Sequence, residues 1–260
     1  MVIEYKQIGN ATYTLKIDNR VKILIDPALK NESKDGKRKR IIPLKLNEED
    51  LDNIDFVLIT QIESDHLDEG GVDFLNSFSG YIIINHLYIK KIKQLGVNNS
   101  NIIALDWLET KSRNFGDIKI DVQGTAAYRG ANRIISGMSG VTNAYGLKIT
   151  TGGSSFKILI TADTVFNKRF YRTQKNIGNI DLLIASAGEQ LNHQHISSRP
   201  ISGSVKEIIT YAKRIKSKNT IINHNGDFSD QVKSDIELNQ NTTYAKNGHK
   251  INIIIKKSDN

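Results

Sequence analysis

Thr60-Gln61-Ile62-Glu63-Ser64-Asp65-His66 follows directly on the largely apolar run Ile54–Ile59, and the reading of this stretch decides the fold. A short run that is apolar almost throughout marks a strand buried on both faces. This one ends by delivering an amide, two carboxylates and an imidazole in close succession. Polar, titratable clusters at the C-terminal end of a buried strand are where α/β folds build their sites.

Upstream, Tyr13–Ile17 and Val21–Ile25 flank the polar turn Asp18-Asn19-Arg20 and read as a hairpin, which Asp26-Pro27 stops. Downstream, Val72, Leu75 and Phe78 share a helical spacing within Asp68–Phe78. Tyr81–Asn85 reads as a strand, His86–Leu95 as a helix ended by Gly96, and Asn101–Leu105 as a strand. The second half repeats that texture, with strands over Ile118–Val122, Ala144–Thr150, Phe156–Thr161 and Asp181–Ser186. Ser204-Val205-Lys206-Glu207 is a capping box, and the helix it opens carries Val205, Ile208, Ile209, Ala212 and Ile215 on one face. Asn219–Asn223 is a strand running straight into His224, and Lys250–Ile255 is a last strand.

Two halves, each opening in antiparallel β-structure before strands alternate with helices, point to an α/β (α+β) fold. The expected architecture is a four-layer αβ/βα sandwich with two central mixed sheets flanked by helices. A doubly wound sheet is the alternative, and the opening hairpin argues against it. No linker or low-complexity segment breaks the chain, so a single domain over 1–260 is expected.

Hydrophobic residues make up 38% and charged residues 25% of the 260, which is the composition of an ordinary globular protein. No apolar run reaches the roughly 20 residues of a membrane helix, and MVIEYKQIGN lacks a signal pattern, so a cytoplasmic protein without membrane insertion is expected. With no cysteine, disulfides and thiolate ligands are excluded, and any metal must be held by His, Asp or Glu. The net charge of +8 favours an acidic partner, with a small anionic substrate ahead of nucleic acid. The densest basic cluster, Lys37-Arg38-Lys39-Arg40, has no aromatic interleaving and reads as a solvated loop.

Four residues share a placement. Asp65 and His66 follow one buried strand, Asp163 follows Phe156–Thr161, and His224 follows Asn219–Asn223. Singly, each has a plain structural reading: Asp65 as a helix N-cap, His66 as a core histidine, Asp163 and His224 as loop residues bonding local backbone. Together, in this order, they read as one site.

The stretch 60–66 resembles the metal-binding signature of the metallo-β-lactamase fold superfamily, His-x-His-x-Asp-His after a strand. Ile23-Leu24-Ile25-Asp26-Pro27 is similar to the strand-Asp-Pro turn of its lactonase-like branch, and Ile8-Gly9-Asn10-Ala11-Thr12-Tyr13 to that branch's Leu-Gly-His-Ser opening. The resemblance spans roughly residues 1 to 228. It implies a two-metal site in which a final Asp-His pair and a late histidine hold one ion and an aspartate bridges both. Asp65, His66, His224 and Asp163 fill those places. The other half-site departs from the pattern: Gln61 and Glu63 stand where histidines belong, and Val122-Gln123-Gly124-Thr125-Ala126-Ala127 offers none.

Imidazole and carboxylate donors suit one divalent ion, Zn²⁺, Mn²⁺ or Fe²⁺, with an empty site as the open alternative. The resemblance implies a hydrolase acting on an ester, lactone or phosphodiester of a small anionic molecule. In that reading Asp65, His66, Asp163 and His224 hold the metal, and Glu63 and Asp65 are the catalytic carboxylates, with Glu63 as general base toward water. His193, His195, Arg199 and Gln61 are the candidate substrate contacts, with Arg129 as a further anion-binding candidate. His86 is read as structural. A catalytically inactive binding or scaffold protein is the competing class, supported by Ala126, and a nuclease is a third.

Overall fold

The computed structural model describes residues 1–36, 39–129, 142–174, 177–188, 202–224 and 241–255. The chain opens as three antiparallel strands, β1 (Val2–Gly9), β2 (Thr12–Ile17) and β3 (Val21–Ile25). The second pairing is the expected hairpin, its turn residues Asp18 and Asn19 both at positive φ. Parallel strands β4 (Phe56–Ile59), β5 (Tyr81–Asn85) and β6 (Ile102–Leu105) extend the sheet, with α1 (Glu69–Ser77) and α2 (Ile89–Gln94) between them.

The second sheet follows the same plan. Strands β7 (Thr110–Phe115), β8 (Ile118–Ala127), β9 (Thr142–Thr151) and β10 (Ser154–Ile160) pair antiparallel. Strands β11 (Leu182–Ser186), β12 (Asn219–Asn223) and β13 (Thr242–Tyr244) then pair parallel, with α3 (Lys168–Gln174) and α4 (Val205–Arg214) among them. The last strand, β14 (Lys250–Ile254), returns to the edge of the first sheet beside β1. The orders are β14-β1-β2-β3-β4-β5-β6 and β13-β12-β11-β10-β9-β8-β7. Each sheet thus runs through three antiparallel pairings and then three parallel ones, and β3 in one sheet matches β10 in the other.

Three apolar layers hold the sandwich together. Between the sheets, Leu15, Ile23, Ile25 and Leu58 pack in one cluster with Ile120, Leu147, Ile158 and Ile184. On the outer face of the first sheet, Leu24, Val57, Ile82 and Ile84 pack with Leu75 of α1 and Ile92 of α2. Outside the second, Leu159, Leu183 and Ile222 pack with Phe170 of α3 and Ile208 and Tyr211 of α4. Alternate strand residues therefore face helices and the opposing sheet, giving the expected four layers.

Helix termini follow the sequence chemistry. Ser204 and Glu207 form the capping box at α4, with Glu207 Oε2 accepting from the Ser204 backbone N–H at 2.8 Å. At α1 the N-cap is Asp68, whose side chain accepts from Gly71 N at 2.9 Å. The N-cap reading of Asp65 is overturned, because the cap falls three residues later. Asp68 also accepts from Leu29 N at 2.9 Å and Lys30 N at 2.7 Å, tying α1 to the loop after Asp26-Pro27. The approach is so close that a Cβ on Gly71 would lie 1.8 Å from the Pro27 carbonyl oxygen. His86 begins a short 3-10 turn and pairs with Asp106 at 3.3 Å. No helix among the described residues is long and apolar enough to cross a membrane.

Candidate metal centre

Strand ends on the two sheets carry the site. After β4, the N–H groups of His66 and Leu67 both bond to Glu63 O at 2.8 Å, closing a turn that buries Asp65 and His66. After β10, Thr161 N bonds to Ile184 O at 3.0 Å and Ala162 turns at φ 55 to present Asp163. His224 follows β12 directly at φ 63, its N–H held by Asn10 O at 3.1 Å. A left-handed backbone costs a non-glycine residue roughly 1–2 kcal/mol. That strain persists where the surrounding structure over-determines it, as it does around a functional site.

Asp65, His66, Asp163 and His224 each offer one donor atom, and these atoms lie within 4.8 Å of one another in a buried cluster. His224 Nε2 stands 3.3 Å from Asp65 Oδ2 and 3.5 Å from Asp163 Oδ1. His66 Nε2 stands 3.4 Å from Asp163 Oδ2 and 3.9 Å from Asp65 Oδ2. Tetrahedral ligands with bonds of about 2.1 Å are about 3.4 Å apart, so the donor set has the spacing of a divalent-ion cage. His66 Nε2, His224 Nε2 and Asp163 Oδ1 are buried without a hydrogen-bond partner among the described residues. Buried polar atoms in that condition are rare, and three converging on one point fit a cation.

Electrostatics agree. Burial works to lower the pKa of His66, but the carboxylates of Asp163, Asp26 and Asp65 overcome it and hold the imidazole well above its usual value. For Asp65, burial favours the neutral acid and is outweighed by His66 and His224, so the pKa falls. Asp163 is likewise depressed against its burial, by His224 and His66 and then by Arg129. Both carboxylates thus stay ionised in a desolvated pocket, and their negative charge is what a cation would meet there.

A second layer supports it. Asp26 Oδ2 lies 2.8 Å from His66 Nδ1 and accepts from Thr60 Oγ1 at 2.6 Å, while its Oδ1 accepts from Thr60 N at 2.7 Å. With Nδ1–H donating to Asp26, Nε2 faces the cluster, where a cation would take the place of its proton. Sequence reasoning noted the strand-Asp-Pro turn but assigned Asp26 no role. The signal was an aspartate at the end of a buried strand, the same signal used for Asp163. Asn10 meets the site through its backbone bond to His224.

The other expected residues fall around this cluster. Gln61 is fully buried, and its Nε2 donates to Asp163 Oδ2 at 2.8 Å. Glu63 Oε1 accepts from Arg129 Nη1 at 2.7 Å, while its Oε2 is buried with no hydrogen-bond partner among the described residues. Ala126, at the end of β8, is buried and offers no donor. His193, His195 and Arg199 lie outside the described residues. Gly188, just before their segment, lies against the site: a Cβ there would lie 3.3 Å from His224 Nδ1, and Gly188 N bonds to Gly203 O at 3.2 Å.

Solved structures share this fold. A possible metal-dependent hydrolase from Veillonella parvula matches with a TM-score of 0.75 at 18% identity, covering 96% of this chain and 99% of that one. An isothiocyanate hydrolase from Delia radicum gut bacteria matches at 0.68 and 18%, covering 95% and 98%. A metallo hydrolase from the archaeon Ignicoccus hospitalis matches at 0.66 and 13%, covering 98% and 100%. No curated protein matches the sequence significantly. Residues 21–225 match the family model described as beta-lactamase superfamily domain, and the chain belongs to that family, with the metallo-β-lactamase fold.

Proposed function

We propose that this chain is a metal-dependent hydrolase, folded as one domain, in which Asp65, His66, Asp163 and His224 hold a single divalent ion of zinc, manganese or iron. The observation that carries the reading is the convergence of four buried donors at ligand spacing, three of their atoms without a hydrogen-bond partner among the described residues. When bound, such an ion supplies Lewis acidity and lowers the pKa of water to about 7. The remaining work falls to the protein. Asp26 fixes the tautomer of His66, and Gln61 orients Asp163 through its amide. Glu63, held by Arg129 through one oxygen, accepts a water proton with the other. Substrates are esters, lactones or phosphodiesters carrying a negative charge, drawn in by the basic chain, with His193, His195 and Arg199 as the proposed contacts. The motif order supports placement near the lactonase-like branch.

A binding protein without catalysis is the second reading, favoured by Ala126 and by Gln61 and Glu63 standing in the first half-site. One experiment separates them. The untagged protein is stripped with chelator, reconstituted with zinc, manganese or iron, and assayed for metal content. It is then tested on a panel of lactones, phosphodiesters and an isothiocyanate, the substrate class named for one structural neighbour. Stoichiometric metal, with turnover abolished in His224→Ala, is expected. Less than about a tenth of an equivalent after reconstitution leaves only the binding protein.

A further inference from the structure

The half-site that lacks histidines is built of interlocking groups. The Gln61 amide nitrogen is directed at Asp163 Oδ2, 2.8 Å away, and the reverse orientation would set its carbonyl oxygen against a carboxylate. One oxygen of Asp163 is therefore engaged by an N–H donor rather than left open to a second ion. Glu63 is engaged too, by Arg129 at 2.7 Å, with the Arg129 side chain only 10% exposed. The arginine is brought there by Tyr128, whose N–H donates to Thr164 Oγ1 at 2.9 Å and whose carbonyl accepts from Val165 N at 2.8 Å. These bonds zip the end of β8 to the loop bearing Asp163. Burial disfavours the guanidinium charge, but Asp163, Glu63 and Asp65 outweigh it and keep the group cationic.

We propose that Arg129 takes the place of a second metal ion, so that the chain binds one divalent cation and supplies the rest of the positive charge from its own guanidinium. The proposal rests on the metal-binding reading above. Charge placement supports it: with Glu63 held on Arg129 and Asp163 Oδ2 held on Gln61, a second divalent ion would have to displace both bonds and stand beside a buried guanidinium. An arginine cannot be lost to chelators or exchanged, so this half of the site keeps its charge under any metal supply.

The test is metal stoichiometry and affinity, free of any turnover assay. Chelator-stripped protein is titrated with Mn²⁺ and with Zn²⁺ by calorimetry, and bound metal is counted by mass spectrometry after desalting. The wild type takes up one equivalent. Arg129→Met, relieved of a like charge beside the ion, binds the first equivalent at least about tenfold more tightly or accepts a second. Arg129→Lys, which keeps the charge, retains one equivalent at wild-type affinity. Two equivalents in the wild type overturn the proposal and leave the metal site standing. Under a tenth of an equivalent overturns the metal reading itself. Unchanged stoichiometry and affinity in Arg129→Met also refute it, and if that variant fails to fold, the wild-type count and the lysine variant decide.

Discussion

Asp26 and His66 are joined by a 2.8 Å contact between carboxylate Oδ2 and ring Nδ1, with both residues closed off from solvent. The imidazole is held on its far side by this carboxylate and faces Asp163 on its near side at 3.4 Å. Its ring plane, and the choice of Nε2 as the nitrogen turned to the cluster, are thus fixed by the protein alone. Asp26→Asn keeps the side chain's size and removes the charge, and supporting partners of this kind contribute about 10–100-fold in metal affinity. Competition against a fluorescent chelator should show a loss of that size, whereas full affinity in the variant would reduce Asp26 to a packing residue.

Asp65→Ala and His224→Ala remove one donor each from the cluster. Each is expected to bind under about a tenth of an equivalent of metal while keeping the wild-type far-ultraviolet circular dichroism, since the strands that carry them are held by apolar layers elsewhere. Normal metal content in both variants contradicts the assignment.

Gly71→Ala places a methyl group where the Pro27 carbonyl oxygen already lies, 1.8 Å from the ideal Cβ position. Backbone cannot yield there as a flexible side chain would. Overpacking of this kind costs about 1–3 kcal/mol or more, readable as a lowered urea midpoint. Because α1 and the Asp26-Pro27 turn share Asp68, metal affinity is expected to fall along with stability. A midpoint equal to wild type would show that the turn moves freely.

At α4 the capping box predicts a smaller, local effect. Ser204→Ala removes an N-cap and is expected to cost about 1 kcal/mol, measured by urea unfolding, with metal binding unchanged. A loss of metal in this variant would mean that α4 reaches the site.

The strands legible in the sequence were those buried on both faces. Ile82–Ile84 and Thr220–Ile222 are runs of buried β-branched residues, and Tyr81–Asn85 and Asn219–Asn223 form strands β5 and β12. Strand β1 was hidden because Lys6 and Gln7 are buried polar residues in the middle of it, Lys6 paired with Asp50 and Gln7 bonded to Asn10 O at 2.8 Å. Strand β7 was hidden for the opposite reason: Thr110–Phe115 is largely exposed, and its state is set by pairing with β8 rather than by composition. At the site, motif order brought out Asp65, His66, Asp163 and His224, since each follows a buried strand. The Glu63–Arg129 pair joins residues 66 apart through a side-chain contact, which no local pattern encodes.

The matched pairing plan of the two sheets makes Asp26, after β3, the counterpart of Asp163, after β10. One stands behind His66 and the other in front of it. The first half of the chain contributes Asp65 and His66 to the buried cluster, and the second contributes Asp163 and His224. Neither half owns a complete grip, so an ion seated there would act as a rivet through the seam of the sandwich. Its removal would loosen the joint between the halves rather than any single loop, and the melting temperature of the whole molecule would track the supply of metal.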